Sequence, residues 1–598
     1  MTLGRALDYP FDVKNILLKR KSLRAQLLQR EGLVDLRVAV LGGSTTSEIR
    51  SIAELFLLRE GFRPEFMESE YGKYFEDVVV DSSALRAFRP QVAFVHTTQV
   101  NLVNAPALFD PAEKVEECLK AECARYQAIW STLTGELGCI VIQNNFDLPP
   151  LRSLGGLDST EVFGRSNFLL RLNLEFARAA RENLKLIIND IHHLSARVGL
   201  ERWFDPDYWF SYKMAVSHTG TVYLAHALGR LVGAALGKTS KCLVLDLDNT
   251  VWGGVIGDDG LAGIKIGKET AQGEAFTAFQ RYCRELRQRG ILLAACSKND
   301  HKNAAEGFTH PDMVLKFDSF ASFQANWDPK PANIQRIVKD LNIGLDALVF
   351  VDDNPAEREI VRSQLPAVVV PEVGSEVSRF AEHLDRMGYF EATRLNREDA
   401  QRADYYADNA VRADHEARFA SYDEFLASLD MKAEIGSFNA TYLDRICQLT
   451  NKTNQFNLTT RRLTLAELEA MGGNAGYVTL YGRLADKFGD NGLVTVLVGK
   501  MTERQLHVEL WLMSCRVLKR DMEFAMLDAL AERAVALGAT DIIGHYYRTP
   551  KNDMVADHYE KMGFERVSAA EDGSHSVWRL GLRGYEPKNR SIKDITHV

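Results

Sequence analysis

The sequence predicts a multidomain α/β chain: two parallel-sheet domains in succession, then an α+β domain. Three observations predict this. At 598 residues the chain is too long for one hydrophobic core. Between residues 34 and 375, short apolar runs alternate with helix-length stretches, the rhythm of βαβ units. Beyond residue 429 that rhythm changes, and several strand-like runs precede one long helical stretch.

The first domain is expected over 1–237. Residues 11–31 carry apolar positions at helical spacing and predict a lead-in helix. LRVAVLGGSTT (36–46) reads as strand, glycine turn and helix start, with Thr46 or Ser47 as the cap. Further strands are expected at 64–69, 91–97, 139–145 and 184–190, so the sheet is mainly parallel. Ser44 after Gly42-Gly43, together with Asp190-x-x-His193 and a later His218, resembles the SGNH esterases in a flavodoxin-like setting. Such a serine and histidine would supply a nucleophile and a base. The esterase pattern has Gly-Asp-Ser, whereas Gly43 stands in place of the acid here. A non-catalytic scaffold or docking domain is therefore the expectation.

The second domain, 238–375, holds the chain's chemistry. KCLVLDLDNTVWGGVIGDDG (241–260) opens with a buried-strand run that ends in Asp246, and Asp248 follows two residues on. If the backbone stays extended, both carboxylates share one face and converge on a cation. ILLAACSKND (291–300) is a second strand, ending in Ser297 with Lys298 and Asn299 beyond it. In NWDPKPANI, Lys330 sits between prolines that stiffen the loop. ALVFVDDNPAERE then brings a strand to Asp352-Asp353, with Pro355 at a helix start.

Those four segments match, in order, the motifs of the haloacid dehalogenase (HAD) superfamily, and LVLDLDNTVWGGVIGDDG resembles its FkbH-like branch. The resemblance implies that Asp246 attacks phosphorus to form an aspartyl phosphate, with Asp248 as general acid and then base. It implies Ser297 on the transferring phosphoryl and Lys330 against the charge on nucleophile and phosphate. Thr250, Lys298 and Asn299 are expected at the substrate. Mg2+ is the implied cofactor, with Asp246, a backbone carbonyl of Asp248 and one of Asp352 or Asp353 as candidate ligands, Asp353 preferred within the last pair. Neither interval between the first three motifs holds a large cap, and 252–267 is expected to form a small hairpin flap. Cys296, directly before Ser297, is either a core-filling residue or a thiol activated by Lys298 and Lys330. The C-S-K-N string resembles FkbH-like proteins, whose reaction passes an acyl group through an enzyme thiol, and this favours the second role.

Residues 376–428 are charged and are expected to form connector helices. The last domain, 429–598, contains NKTNQFNLTTRR (451–462), then strands, a helix and a closing Tyr559-x-x-x-Gly563-Phe564. This order resembles the GCN5-related N-acetyltransferase (GNAT) fold. GNAT enzymes wrap the CoA pyrophosphate with an R/Q-x-x-G-x-G/A loop at a helix N-terminus. Here the loop reads Arg516-Val-Leu-Lys519-Arg520-Asp521, without either glycine. Free acetyl-CoA is therefore not expected, while Lys519 and Arg520 remain available to the phosphate of a phosphopantetheine arm.

The whole-chain resemblance implies an enzyme that takes 1,3-bisphosphoglycerate, holds glyceryl as a thioester, removes phosphate and delivers D-glyceryl to a separate acyl carrier protein for polyketide assembly. Two other readings stand beside it: a plain Mg2+-dependent phosphatase, and a carrier-docking scaffold with a dead core. A net charge of -9 argues against nucleic acid as the principal partner. Eight cysteines without a C-x-x-C pair suggest reduced thiols in the cytoplasm. No run of 18 apolar residues suggests a membrane span.

Overall fold

The computed structural model describes residues 5–395, 405, 412, 415–416, 418–419, 421–453, 455–463, 465–514, 517–549 and 552–598, with only the backbone at 452 and 466. It divides into two compact units, Met1–Lys238 with Glu391–Thr393, and Thr239–Phe390 with Arg394–Val598. In the expected 376–428 connector Phe380–Met387 and Tyr422–Ser428 are helices, while 396–404 and 406–411, together with Arg516 and Cys515, lie outside the described residues. Among those described, no helix is long and apolar enough to cross a membrane, and seven cysteines are free thiols.

The first unit is built on β1 (Val34–Gly42), β2 (Phe62–Glu68), β3 (Val92–His96), β4 (Ile140–Asn144) and β5 (Leu186–Asn189). They form one parallel sheet in the order β2-β1-β3-β4-β5, the flavodoxin-like order. Side-chain alternation assigns the two faces. Val38, Val40 and Phe94 pack under helices Val13–Leu27, Ser47–Arg59 and His218–Ala235. Ala39, Leu41 and Val95 pack under Ala112–Trp130 and Arg165–Glu182. Burial on both faces explains the near-continuous apolar strands. Thr46 does precede helix Ser47–Arg59, but its hydroxyl donates to Glu68 instead of capping the helix.

The second unit opens with β6 (Cys242–Leu245), β7 (Leu292–Ser297), β8 (Ser322–Ala325) and β9 (Leu348–Val351). Their order is β8-β7-β6-β9, all parallel. The chain leaves β6 toward β7 and β8, then returns to β9 on the other side. The carboxyl end of β6 is thus the switch point where open parallel sheets hold ligands. The 252–267 segment is not a hairpin. One antiparallel bridge, Gly253 to Lys265, closes a short helix, Ile256–Gly263. Glycine-rich sequence here favours a turn over the paired extended runs a hairpin needs.

The remaining strands are β10 (Lys432–Gly436), β11 (Tyr477–Asp486), β12 (Gly489–Thr502), β13 (Gln505–Met513), β14 (Asp541–Tyr547), β15 (Glu565–Ala569), β16 (His575–Gly581) and β17 (Asp594–His597). They form a mixed sheet in the order β15-β16-β14-β13-β12-β11-β10-β17, with helix Met522–Ala536 packed into its main core. This is a GNAT-like α+β arrangement. β13 and β14 are parallel and share only the pairs from Gln505–Asp541 to His507–Ile543 before they diverge. The gap is filled from within the chain. Leu458 N-H donates to Trp511 O at 3.0 Å, Met513 N-H to Phe456 O at 3.1 Å, and Tyr547 N-H to Leu458 O at 2.9 Å.

At the end of β11 the wholly buried Asp486 carboxylate binds Arg412 twice, at 2.7 and 2.8 Å, and Arg520 at 3.1 Å. It also accepts the N-H groups of Phe488 and Gly489 in the β11–β12 turn. Removing it leaves two guanidinium groups without their buried counter-ion. Asp486→Ala is expected to destabilise this sheet by about 3–5 kcal/mol, measured by denaturant unfolding with Trp511 as reporter.

Candidate active site

Each functional segment reaches the site from the carboxyl end of a strand. β6 delivers Asp246, whose N-H donates to Val351 O at 2.9 Å, locking the first motif against β9. β7 ends in Ser297, which is 1% exposed. β9 leads into Asp352 and Asp353, and Pro355 opens the following helix after an Asn354 cap. Lys330 is the first residue of helix Lys330–Leu341, held by Pro329 and Pro331.

These side chains converge. Lys330 Nζ lies 3.0 Å from Asp246 Oδ2 and also binds Asp352, and all three residues are buried. Oxygen atoms of Asp246, Asp352 and Asp353 lie within 4.8 Å of one another. Burial opposes the charge on Lys330, and the neighbouring Asp246 and Asp352 carboxylates outweigh it, so the ammonium is held above the ordinary lysine range. Asp352 is pushed up to about 6, by burial first and by Asp246 next, against the pull of Lys330. Burial and Asp246 raise Asp353 as well.

Asp246 Oδ1 is buried and has no hydrogen-bond partner among the described residues. A buried carboxylate oxygen left open beside two further acids fits a hard divalent cation, which takes oxygen ligands. The residues that would hold it are Asp246, Asp352 and Asp353.

Asp248 is placed differently from the sequence expectation. Its Oδ1 accepts Trp252 Nε1-H at 2.9 Å and Ile256 N-H at 3.1 Å, and its Oδ2 accepts Asn299 Nδ2-H at 3.0 Å. The carboxylate stands outside the three-acid group, because the chain turns after β6 instead of staying extended. Burial, opposed by the Ile256 and Trp252 donors, raises its pKa, which favours carrying a proton.

Three residues expected at the substrate hold the site's framework instead. Thr250 is wholly buried and its hydroxyl accepts Asp353 N-H at 3.2 Å. Lys298 pairs with Glu357 at 2.6 Å. Asn299 orients Asp248. Cys296 is also corrected. Its register places it beside Asp246, but the thiol is fully buried, 3.7 Å from Lys330 O and packed with Cys242, Val244 and Ile334. Burial pushes the thiol up, and Lys330 only partly offsets it. A protonated, enclosed thiol is a weak nucleophile.

The sequence reading missed Trp252, which anchors Asp248, and Arg358, which donates to the carbonyls of both Asp352 and Asp353 at 2.7 and 2.8 Å. A tryptophan inside a glycine-rich turn was the available signal for the first. Arg358 gave no signal beyond its place one turn into a helix.

No protein-family model and no curated protein matches the chain. Among solved structures, the N-terminal part of the Bacteroides fragilis protein BF1531, containing a phosphatase domain and complexed with Mg, matches at 30% identity and TM-score 0.58, over 63% of this chain and 99% of its own. The chain belongs to the FkbH-like branch of the HAD superfamily. The ribosomal-protein-S18-alanine N-acetyltransferase of Escherichia coli matches 25% of this FkbH-like chain and 94% of its own, at 11% identity and TM-score 0.20. Ard1 of Thermoplasma volcanium matches 25% and 97%, at 14% and 0.20.

The GNAT-like region of this FkbH-like protein departs from the glycine loop at two positions. Lys519 and Asp521, at the two positions where the loop would carry glycine, both have positive φ, 64° and 60°. The backbone bend persists, but each side chain costs about 1 kcal/mol there. Arg520 is buried on Asp486, so it is not available to a phosphate as expected. At the start of helix Met522–Ala536 stand Asp521, bound by Ser591, and half-buried Glu523, which burial pushes up to about 7. Carboxylates occupy the end of the helix that would attract phosphate.

Two substitutions test this geometry with Mg2+ and a phosphate monoester such as p-nitrophenyl phosphate. Lys330→Met removes the cation between Asp246 and Asp352, and kcat is expected to fall by about 100-fold or more. Cys296→Ala should retain kcat within about threefold, at a stability cost of about 1 kcal/mol for the small cavity. Loss of phosphate release in the cysteine variant would place the thiol in the chemistry.

Proposed function

We propose that this FkbH-like protein is a Mg2+-dependent phosphoryl-transfer enzyme acting on a phosphorylated glyceryl unit derived from 1,3-bisphosphoglycerate, on its way to a separate cytoplasmic acyl carrier protein. The observation that carries the phosphoryl-transfer step is the open, buried Asp246 Oδ1 beside Asp352, Asp353 and Lys330. The magnesium in the Bacteroides structure supports the choice of cation, and the glyceryl and carrier assignments follow from the family resemblance.

Asp246 attacks phosphorus, forming a new O-P bond as the bond to the substrate oxygen breaks, and that oxygen takes a proton from Asp248. Water then attacks phosphorus, gives its proton to Asp248, and phosphate leaves Asp246 regenerated. Bound Mg2+ supplies neutralisation of the phosphoryl charge. Lys330 holds Asp246 in place, while Trp252, Ile256 and Asn299 hold Asp248 in one orientation. With no large cap in the sequence intervals, the site suits the end of a tethered substrate.

The burial of Cys296 favours a second reading, a plain phosphatase without acyl transfer. The enzyme should be incubated with Mg2+ and 1,3-bisphosphoglycerate, then with a holo carrier protein, and both proteins weighed intact. The expected outcome is a glyceryl adduct on the carrier, the acyl phosphate leaving as the carrier thiol takes the acyl group and the ester phosphate leaving through Asp246, with ester-phosphate release lowered about 1,000-fold or more in Asp246→Asn. Phosphate without any carrier adduct would leave the plain phosphatase. Undiminished release by Asp246→Asn would end the phosphoryl-transfer reading.

A further inference from the structure

One exposed side chain beside the phosphoryl site holds nothing in the fold. Trp130, Trp203, Trp252, Trp511 and Trp578 are buried, whereas Trp327 is 75% exposed. It lies on the loop between β8 and helix Lys330–Leu341. Among the described residues its indole makes no hydrogen bond, ion pair or ring contact. An indole left in water forgoes the burial of a large apolar surface, and binding sites use tryptophan as an anchor because they recover it.

The loop that presents this indole is fixed along its length. At one end Asn326 N-H donates to Ser297 O at 3.2 Å. At the other, Lys330 Nζ lies 3.0 Å from Asp246. Asn326 and the buried Asn333 exchange side-chain amide hydrogen bonds at 3.1 and 2.9 Å, and Asp328 N-H donates to Asn326 Oδ1 at 3.0 Å. Asp328 pairs with Arg336 at 2.7 Å, and Pro329 stiffens the next step. Trp327 is therefore one residue from a backbone contact to Ser297 and three from the lysine against the nucleophile. The loop's polar groups are committed to one another, and a side chain on so rigid a support loses little freedom when it meets a ligand.

A second exposed apolar side chain borders the same groups. Val255 is 39% exposed and precedes Ile256, whose N-H donates to Asp248 Oδ1 at 3.1 Å. Asp248 is the acid that protonates the leaving oxygen, and Asn299, two residues past Ser297, binds its other oxygen at 3.0 Å. Trp327 and Val255 thus stand on the segments that hold Ser297 and Asp248, the leaving-group side of the site. The charges that receive the phosphoryl group are gathered elsewhere, on Asp246, Lys330 and the Asp352-Asp353 pair. Asp258 and Asp259 follow Val255 closely, so negative charge borders this flank and disfavours an anionic leaving group.

We propose that Trp327, with Val255, is the specificity-determining contact for the alcohol attached to the transferred phosphate, selecting alcohols that continue into an uncharged arm with planar amide or thioester groups. Flat groups of that kind stack on an indole face, and a small polyol offers it far less surface. The inference rests on the phosphoryl-transfer function proposed for Asp246 and adds what the leaving group must carry.

The test follows phosphate release by the full-length enzyme with Mg2+ from two substrates, the pantetheine thioester of 3-phosphoglycerate and glycerol 3-phosphate. The wild type is expected to favour the thioester. In Trp327→Ala the ratio of the two kcat/KM values should fall by about tenfold, carried by KM for the thioester, and Trp327→Phe should restore most of it because a flat ring is kept. Both variants should melt with the wild type, since the side chain is mostly exposed. The inference is overturned if the wild type shows no preference for the thioester, or if Trp327→Ala leaves the ratio unchanged. Wild-type enzyme that releases phosphate from neither substrate would overturn the phosphoryl-transfer reading itself, and this inference with it.

Discussion

The second unit depends on one buried ion cluster. Lys330 enters from a proline-stiffened helix start and binds the carboxylates that end β6 and lead out of β9. Three acids beside one ammonium gather excess negative charge in a largely buried site. Such a cluster is expensive to bury without further neutralisation, because desolvation of ions costs several kcal/mol each. The raised pKa values of Asp352 and Asp353 express that cost. A divalent cation and an incoming phosphoryl group complete the balance, so the arrangement that burdens folding also creates binding strength for the reaction.

Around this cluster the chain invests in orientation. Asp248 is held by an indole, a backbone N-H and an amide from three different segments. Arg358 and Thr250 fix the Asp352-Asp353 turn from opposite ends of the domain's sequence. These contacts explain why residues expected to face substrate turned inward. A polar group near a buried acid is often most useful holding that acid still.

The architecture was legible in the sequence because its signals are local. Apolar runs ending in Asp246, Ser297 and Asp352 announced strands and their carboxyl ends, and β1 to β5 followed from βαβ rhythm. What the sequence hid is side-chain partnership over distance. Asn299 meets Asp248 51 residues away, Lys298 meets Glu357 at 59, and Thr250 meets Asp353 at 103. Cys296 misled because adjacency to Ser297 says nothing of direction. Successive residues of a strand face opposite ways, and the thiol faces the core. The expected phosphate contact of Arg520 failed for a similar reason, since Asp486 lies 34 residues away along the chain and claims it. At Lys519 and Asp521 the glycines are lost but the backbone keeps its bend, with positive φ at both.

The central claim is that Asp246 accepts the phosphoryl group. Acid-quenching the enzyme during turnover with Mg2+ and a phosphate monoester, reducing with borohydride and mapping the peptides tests it directly. Borohydride converts an aspartyl phosphate to homoserine. The account requires homoserine at position 246, dependent on Mg2+ and on substrate. Unmodified Asp246 during sustained phosphate release, or modification at another residue, would contradict it.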